Sequence, residues 1–207
     1  MKQAFRSTAV QVLGWIWMAF AAFNAVDLIV RFSGRPSVVA AAVLTVLTAV
    51  VLITCLRPVT KFVEGGVLVR NPLRNFFVPW LLVDDVSVSH SIMITSGDRK
   101  IRCWTPQASG RERVSAMRRA LPGKGGRLRT EPARSKGEQA AVEALAGKTH
   151  ADWVAEQMLE RARSAKRTAS KATGTAPEPG TVRVTWSPTA LAALAVSVVM
   201  IVVALLS

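Results

Sequence analysis

Val10 to Val30, VQVLGWIWMAFAAFNAVDLIV, is followed after the six-residue turn Arg31-Phe32-Ser33-Gly34-Arg35-Pro36 by Ser37 to Leu56, SVVAAAVLTVLTAVVLITCL. A helix needs about 20 apolar residues to cross a hydrocarbon core of roughly 30 Å, and these segments hold 21 and 20. A backbone in lipid must satisfy its own hydrogen bonds, so both are read as helices, and the short turn makes them an antiparallel hairpin. Gly34 and Pro36 stop one helix and start the next. A third such segment, Pro188 to Leu206, runs 19 residues. The first reading of the chain is therefore a protein that crosses a membrane three times.

Between the second and third spans lie 131 residues, Arg57 to Ser187, enough for one small domain. They carry 23 Lys and Arg against 12 Asp and Glu, a net +11. That balance selects an anionic partner, either a phospholipid surface or a nucleic acid, and the membrane is already adjacent. Two cysteines, Cys55 in the second span and Cys103 in the central region, exclude a disulfide framework and match no metal-ligand spacing.

Lys2 and Arg6 ahead of an apolar run resemble a signal peptide. The run is long for one, the Phe23-Asn24-Ala25 region is a poor cleavage site, and a second span follows within six residues, so the reading is an uncleaved anchor. Lys2 and Arg6 before the first span, and Arg57, Lys61, Arg70 and Arg74 after the second, outnumber Arg31 and Arg35 on the turn. The tally predicts residues 1–9 and the central domain in the cytoplasm and Ser207 outside, in a plasma membrane. Asn24 and Asp27 are the strongly polar groups within the hairpin. Asp27 lies four residues before Arg31, which predicts a local ion pair near the helix end rather than an intramembrane site.

From Val59 to Trp104 apolar residues recur with period two: Val67 and Val69, Phe76 and Val78, Val86 and Val88, Ile101 and Cys103. Glu64-Gly65-Gly66, Asn71-Pro72-Leu73, Asp84-Asp85 and Ser96-Gly97-Asp98 interrupt them as turns. The pattern predicts five or six short antiparallel strands with one buried face. Ser109 and Glu112 have the spacing of a capping box opening a helix from Arg111 to Leu121, with Val114, Met117 and Leu121 on the face that would cover the sheet. Residues 122–187 read as a basic linker with helical segments at Gln139 to Ala146 and Thr149 to Lys166, the second again opened by capping-box spacing at Thr149 and Asp152.

The run Glu64-Gly65-Gly66-Val67-Leu68-Val69-Arg70-Asn71-Pro72, then Phe77-Val78-Pro79-Trp80, then Gly97-Asp98-Arg99-Lys100 and Cys103-Trp104, placed after a two-helix hairpin, resembles the bacterial PH-like domain of actinobacterial membrane proteins, of the low-molecular-weight protein antigen 6 type. Leu68-Val69-Arg70-Asn71 and Val78-Pro79-Trp80 carry the match, while Gly97-Asp98-Arg99 inverts the family's turn order. About 50 residues are covered. The resemblance implies a PH-like split barrel of seven strands capped by a C-terminal helix, acting as a binding or scaffolding module without catalytic residues. The expected architecture is an α+β membrane protein: hairpin 10–56, PH-like domain 57–121, linker 122–187 and final span 188–206.

No Ser/His/Asp or Cys/His set offers a nucleophile with its base, so no enzyme and no cofactor is expected. His90 and His150 read as surface residues, and Trp80 and Trp104 as core or interface residues. The one cluster above background is basic: Arg111, Arg113, Arg118, Arg119, Lys124, Arg127 and Arg129, within a stretch that extends to Lys136. Each juxtamembrane cation is worth about 1 kcal/mol at an anionic leaflet. The predicted role is contact with an anionic lipid surface or a membrane protein partner. A membrane-tethered nucleic-acid binder is the competing class, and it is disfavoured because no aromatic residue is interleaved with these arginines.

Overall fold

The computed structural model describes residues 3–107, 114, 149–171 and 180–207. Helix α1 covers Thr8–Val30 and α2 covers Arg35–Val51, continuing as a π-helical turn over Leu52–Leu56. After the domain, α4 covers Pro188–Leu206. All three are long and apolar enough to cross a membrane, and each predicted segment is met within two residues at either end. The Asp27 carboxylate pairs with Arg31 at 3.0 Å, and Asn24 donates to the Phe20 carbonyl at 2.8 Å, so both polar groups are satisfied locally.

The strands are β1 Gln3–Phe5, β2 Val59–Val63, β3 Gly66–Arg70, β4 Arg74–Pro79, β5 Asp85–Val88, β6 Ser91–Ser96, β7 Arg99–Gln107 and β8 Arg183–Trp186. They form two antiparallel sheets, one in the order β1-β2-β3-β4-β8 and one in the order β5-β6-β7. Val59 to Trp104 thus yields six strands, β2 to β7, where its alternation predicted five or six. Opposed pairs such as Val67↔Val78 and Val69↔Phe76 put one apolar face inward. β1 and β8 come from outside that stretch and take the two edges of the larger sheet.

Between the sheets lies a core that includes Phe62, Val67, Val69, Val78, Ile92, Ile94 and Cys103, all with no exposure. The Phe62 ring meets Phe5 at 4.7 Å and Trp80 edge-on at 5.5 Å, with the Arg161 guanidinium over it at 4.8 Å. Trp80 is a core residue whose indole N–H donates to the Val63 carbonyl at 3.0 Å. Gly66 lies so close to β4 that a Cβ there would overlap the Val78 carbonyl oxygen and stand 2.9 Å from the Pro79 Cα.

The cover is helix α3, His150–Lys171. Its Thr149 and Asp152 form the predicted capping box: the Thr149 N–H and hydroxyl donate to the Asp152 carboxylate at 2.8 and 2.7 Å, and the Asp152 N–H donates to the Thr149 hydroxyl at 3.3 Å. Ala151, Val154, Ala155, Met158 and Ala162 make a buried stripe at helical spacing. The core therefore draws on residues beyond the expected 57–121 span. Of the predicted capping helix Arg111 to Leu121 only Val114 is described, and it is exposed. The remainder of that helix and the predicted helix Gln139 to Ala146 lie outside the described residues.

Truncating Phe62 to Ala should cost about 3 to 5 kcal/mol, and Gly66→Ala should destabilise by forcing β3 and β4 apart. Arg70→Ala, on the exposed face, should change stability by less than about 0.5 kcal/mol. Denaturant unfolding in detergent micelles reads all three. Burial pushes the Cys103 thiol up to about 12, with a hydrogen bond from Thr60 acting weakly the other way. In a Cys55→Ser background, maleimide at pH 8 should leave Cys103 unlabelled in the folded protein and label it fully in denaturant.

Candidate functional site: the membrane-facing rim of the sheet

Every link between sheet and membrane helix is short. Arg6 and Ser7 join β1 to α1, Arg57 and Pro58 join α2 to β2, and Ser187 alone joins β8 to α4. The strand ends at Phe5, Val59 and Trp186 therefore stand directly at the ends of the three candidate spans. Register places the ends of β3 and β4, with their turn Asn71-Pro72-Leu73, on the same rim, since Val59 is opposite Arg70 and Arg74 is opposite Trp186.

Arg57 organises this rim. Its guanidinium donates to the carbonyls of Asn71 and Pro72, the second at 2.9 Å, to the Asn75 side-chain oxygen at 2.6 Å, and from Nε to the Thr189 hydroxyl at 3.2 Å. One side chain thus ties the exit of α2, the β3–β4 turn and the start of α4. All four acceptors are neutral. Partial burial, and then repulsion from Arg70, lower its pKa from the ordinary arginine value.

Asn71 carries the link to the second sheet. Its Nδ2 donates to the Arg102 carbonyl at 2.7 Å and its Oδ1 accepts from the Trp104 N–H at 2.9 Å. The Trp104 indole in turn donates to the Thr54 carbonyl in the π-helical turn at 3.2 Å. Four residues on stands Pro58, which has no N–H to offer that carbonyl, so it is free for an outside donor. Ser187 donates its backbone N–H to the Leu73 carbonyl at 2.9 Å, and its hydroxyl accepts from Ala190 to cap α4. The Arg74 guanidinium lies over the Trp186 ring at 4.7 Å.

The rim is cationic and aromatic. Arg6, Arg70, Arg74 and Arg102 are exposed on or beside it, as are Leu73, Trp104 and Trp186. Among the described residues of the strands and their turns, the acids Glu64, Asp84, Asp85 and Asp98 all lie at the opposite end. There the Asp84 carboxylate is held below its ordinary pKa, first by the Gly97 N–H and then by Lys166 at 3.1 Å. His90, in the β5–β6 turn, is exposed, and His150 opens α3 stacked on Trp153 with 6.0 Å between ring centres.

The predicted anionic-surface residues Arg111, Arg113, Arg118, Arg119, Lys124, Arg127 and Arg129 lie outside the described residues. Arg57 and Arg74 entered the sequence reading only as orientation charges, and Arg70 as one of them and as part of the strand that carries the family resemblance. Their position directly after an apolar span was the available signal, but the partners of Arg57 are backbone carbonyls that no motif encodes. No family model, curated protein or solved structure matches the chain.

Asn71→Ala removes two hydrogen bonds of about 0.5 to 1.5 kcal/mol each and with them one of the bridges between the sheets, leaving the Thr60 hydroxyl's bond to the Thr105 carbonyl in place. A fall of about 1 to 3 kcal/mol in unfolding free energy is expected, with amides of β7 near Trp104 exchanging faster with deuterium.

Proposed function

We propose that the protein is a membrane-anchored PH-like binding module that rests its Arg57-Arg70-Arg74 rim against anionic phospholipid headgroups. The observation that carries this reading is a rim that is cationic and, among the described residues of the strands and their turns, free of acids, interleaved with Trp104, Trp186 and Leu73 at the level where α1 and α4 begin and α2 ends. Tryptophan favours the headgroup layer, and each arginine near an anionic leaflet adds about 1 kcal/mol. The PH-like assignment is supported by strand count and cover. Of the eight strands, β1 to β7 match the seven that the resemblance implies and β8 is an added edge strand; β1 is supplied from ahead of the hairpin, and α3 caps the core in the place of the C-terminal helix that the resemblance implies.

In this reading the domain lies in the cytoplasm, and the basic stretch Arg111 to Lys136 extends the cationic surface. A second reading, contact with a membrane protein partner, is favoured by β8. It is an edge strand, all four of its residues are exposed, and it can accept a partner strand by backbone pairing.

Reconstituted in nanodiscs containing anionic lipid, the full chain should show slow amide exchange at Asn71 to Arg74, and zwitterionic nanodiscs or high salt should restore fast exchange. Protection independent of lipid charge and salt would count against headgroup docking. Arg70→Gln with Arg74→Gln should remove the lipid dependence while leaving the fold intact. An impermeant thiol reagent should fail to label Asp98→Cys in intact cells, and labelling would place the domain on the outer side.

A further inference from the structure

Helices α1 and α4 both lean on α2 and leave a lateral groove between them, floored by α2. Two chambers of about 620 and 630 Å³ meet at Ala25, Leu44 and Thr45. The first, walled by Ala22, Thr48 and Ala193, runs toward the domain, and the second ends at Phe32 and Met200 near the far surface. Small side chains keep it open. α1 and α2 come close at the domain end, where a Cβ on Gly14 would stand 2.7 Å from the Leu56 Cδ2, and the Trp17 indole donates to the Thr48 hydroxyl at 3.3 Å.

At the domain end, Leu52 and Thr189 line both the first chamber and a third cavity of about 240 Å³ that Arg57 also lines. An apolar groove the length of a span therefore opens onto a guanidinium whose described partners are all neutral, with Arg70 and Arg74 beyond it. The ligand complementary to that arrangement is an amphiphile with a hydrocarbon chain and an anionic head. The geometry points to a resident anionic phospholipid, one acyl chain in the α1–α4 groove and its phosphate facing Arg57. This deepens the surface-docking reading and rests on the same cationic rim, but it assigns one bound lipid where that reading needs only a surface.

The test is native mass spectrometry of the full chain, released from detergent after incubation with equal phosphatidylglycerol and phosphatidylcholine. One phosphatidylglycerol per chain is expected, and Arg57→Gln should lower its preference about fivefold, the equivalent of one juxtamembrane charge. Arg57→Lys should keep most of it. Because Arg57 also holds the junction, the groove is tested separately. Ala25→Leu with Ala193→Leu fills it, and should abolish lipid retention while the amide protection of Asn71 to Arg74 in anionic nanodiscs stays as in the wild type.

Equal retention of the two lipids by the wild type, or undiminished retention by the filled-groove variant, overturns the site. So does spontaneous cross-linking of Ala22→Cys between two copies, which would place a helix of a second copy in the groove. Loss of rim protection with lipid retention intact would instead sink surface docking and leave the groove site standing.

Discussion

Three links of two residues or fewer fasten the larger sheet to the membrane helices, and the arrangement of the domain follows from that constraint. β1, β2 and β8 cannot move independently of α1, α2 and α4. Arg57 adds a fourth tie by holding the β3–β4 turn to the starts of β2 and α4. A guanidinium suits the task because its planar fork reaches several acceptors at once and stays charged. With carbonyl and hydroxyl acceptors it leaves a net positive charge at the junction, where a carboxylate partner would have cancelled it. The interaction that fastens domain to membrane also gives the rim its sign.

On the proposed docking to an anionic leaflet, the polarity of the domain has the same origin. Turns nearest the bilayer carry Arg70, Leu73 and Arg74, while turns farthest from it carry Glu64, Asp84, Asp85 and Asp98. An anionic leaflet repels acids within a Debye length of roughly 8 to 10 Å. A domain held by links this short has its membrane-side turns inside that distance. Leu73, Trp104 and Trp186 would be liabilities on the exposed surface of a free domain. At the headgroup layer their burial is favourable.

Much of the fold was legible. The spans follow from length and apolarity alone, and Val67, Val69, Val78, Ile101 and Cys103 face inward as their alternation predicts. β1 and β8 were not legible, because Gln3–Phe5 and Arg183–Trp186 are three and four residues long. Segments that short show no period, and their strand character comes from partners 50 residues or more away in sequence. Helix α3 was legible as a helix but not as the cover. Three of its five buried residues are alanines, which give a smooth inward stripe and a weak hydrophobic signal. At the rim the charges were legible as charges, but their convergence depends on register and on main-chain acceptors.

β8 also shows how anchoring restricts self-association. An exposed edge strand invites another copy to pair with it, and paired copies of one chain are usually related by a two-fold axis. In a membrane that axis stands along the normal, because both copies must insert with the same orientation. Both β8 strands then run toward the bilayer, Arg183 first and Trp186 last, and a symmetric pair has to be parallel. Every strand pair within the two sheets is antiparallel, so a second copy cannot extend the pattern already present. An antiparallel addition to β8 needs a strand running away from the membrane, which a different protein or another segment can supply. Orientation thus denies an antiparallel continuation to the copies most concentrated around the edge and leaves it to a partner with the opposite strand direction.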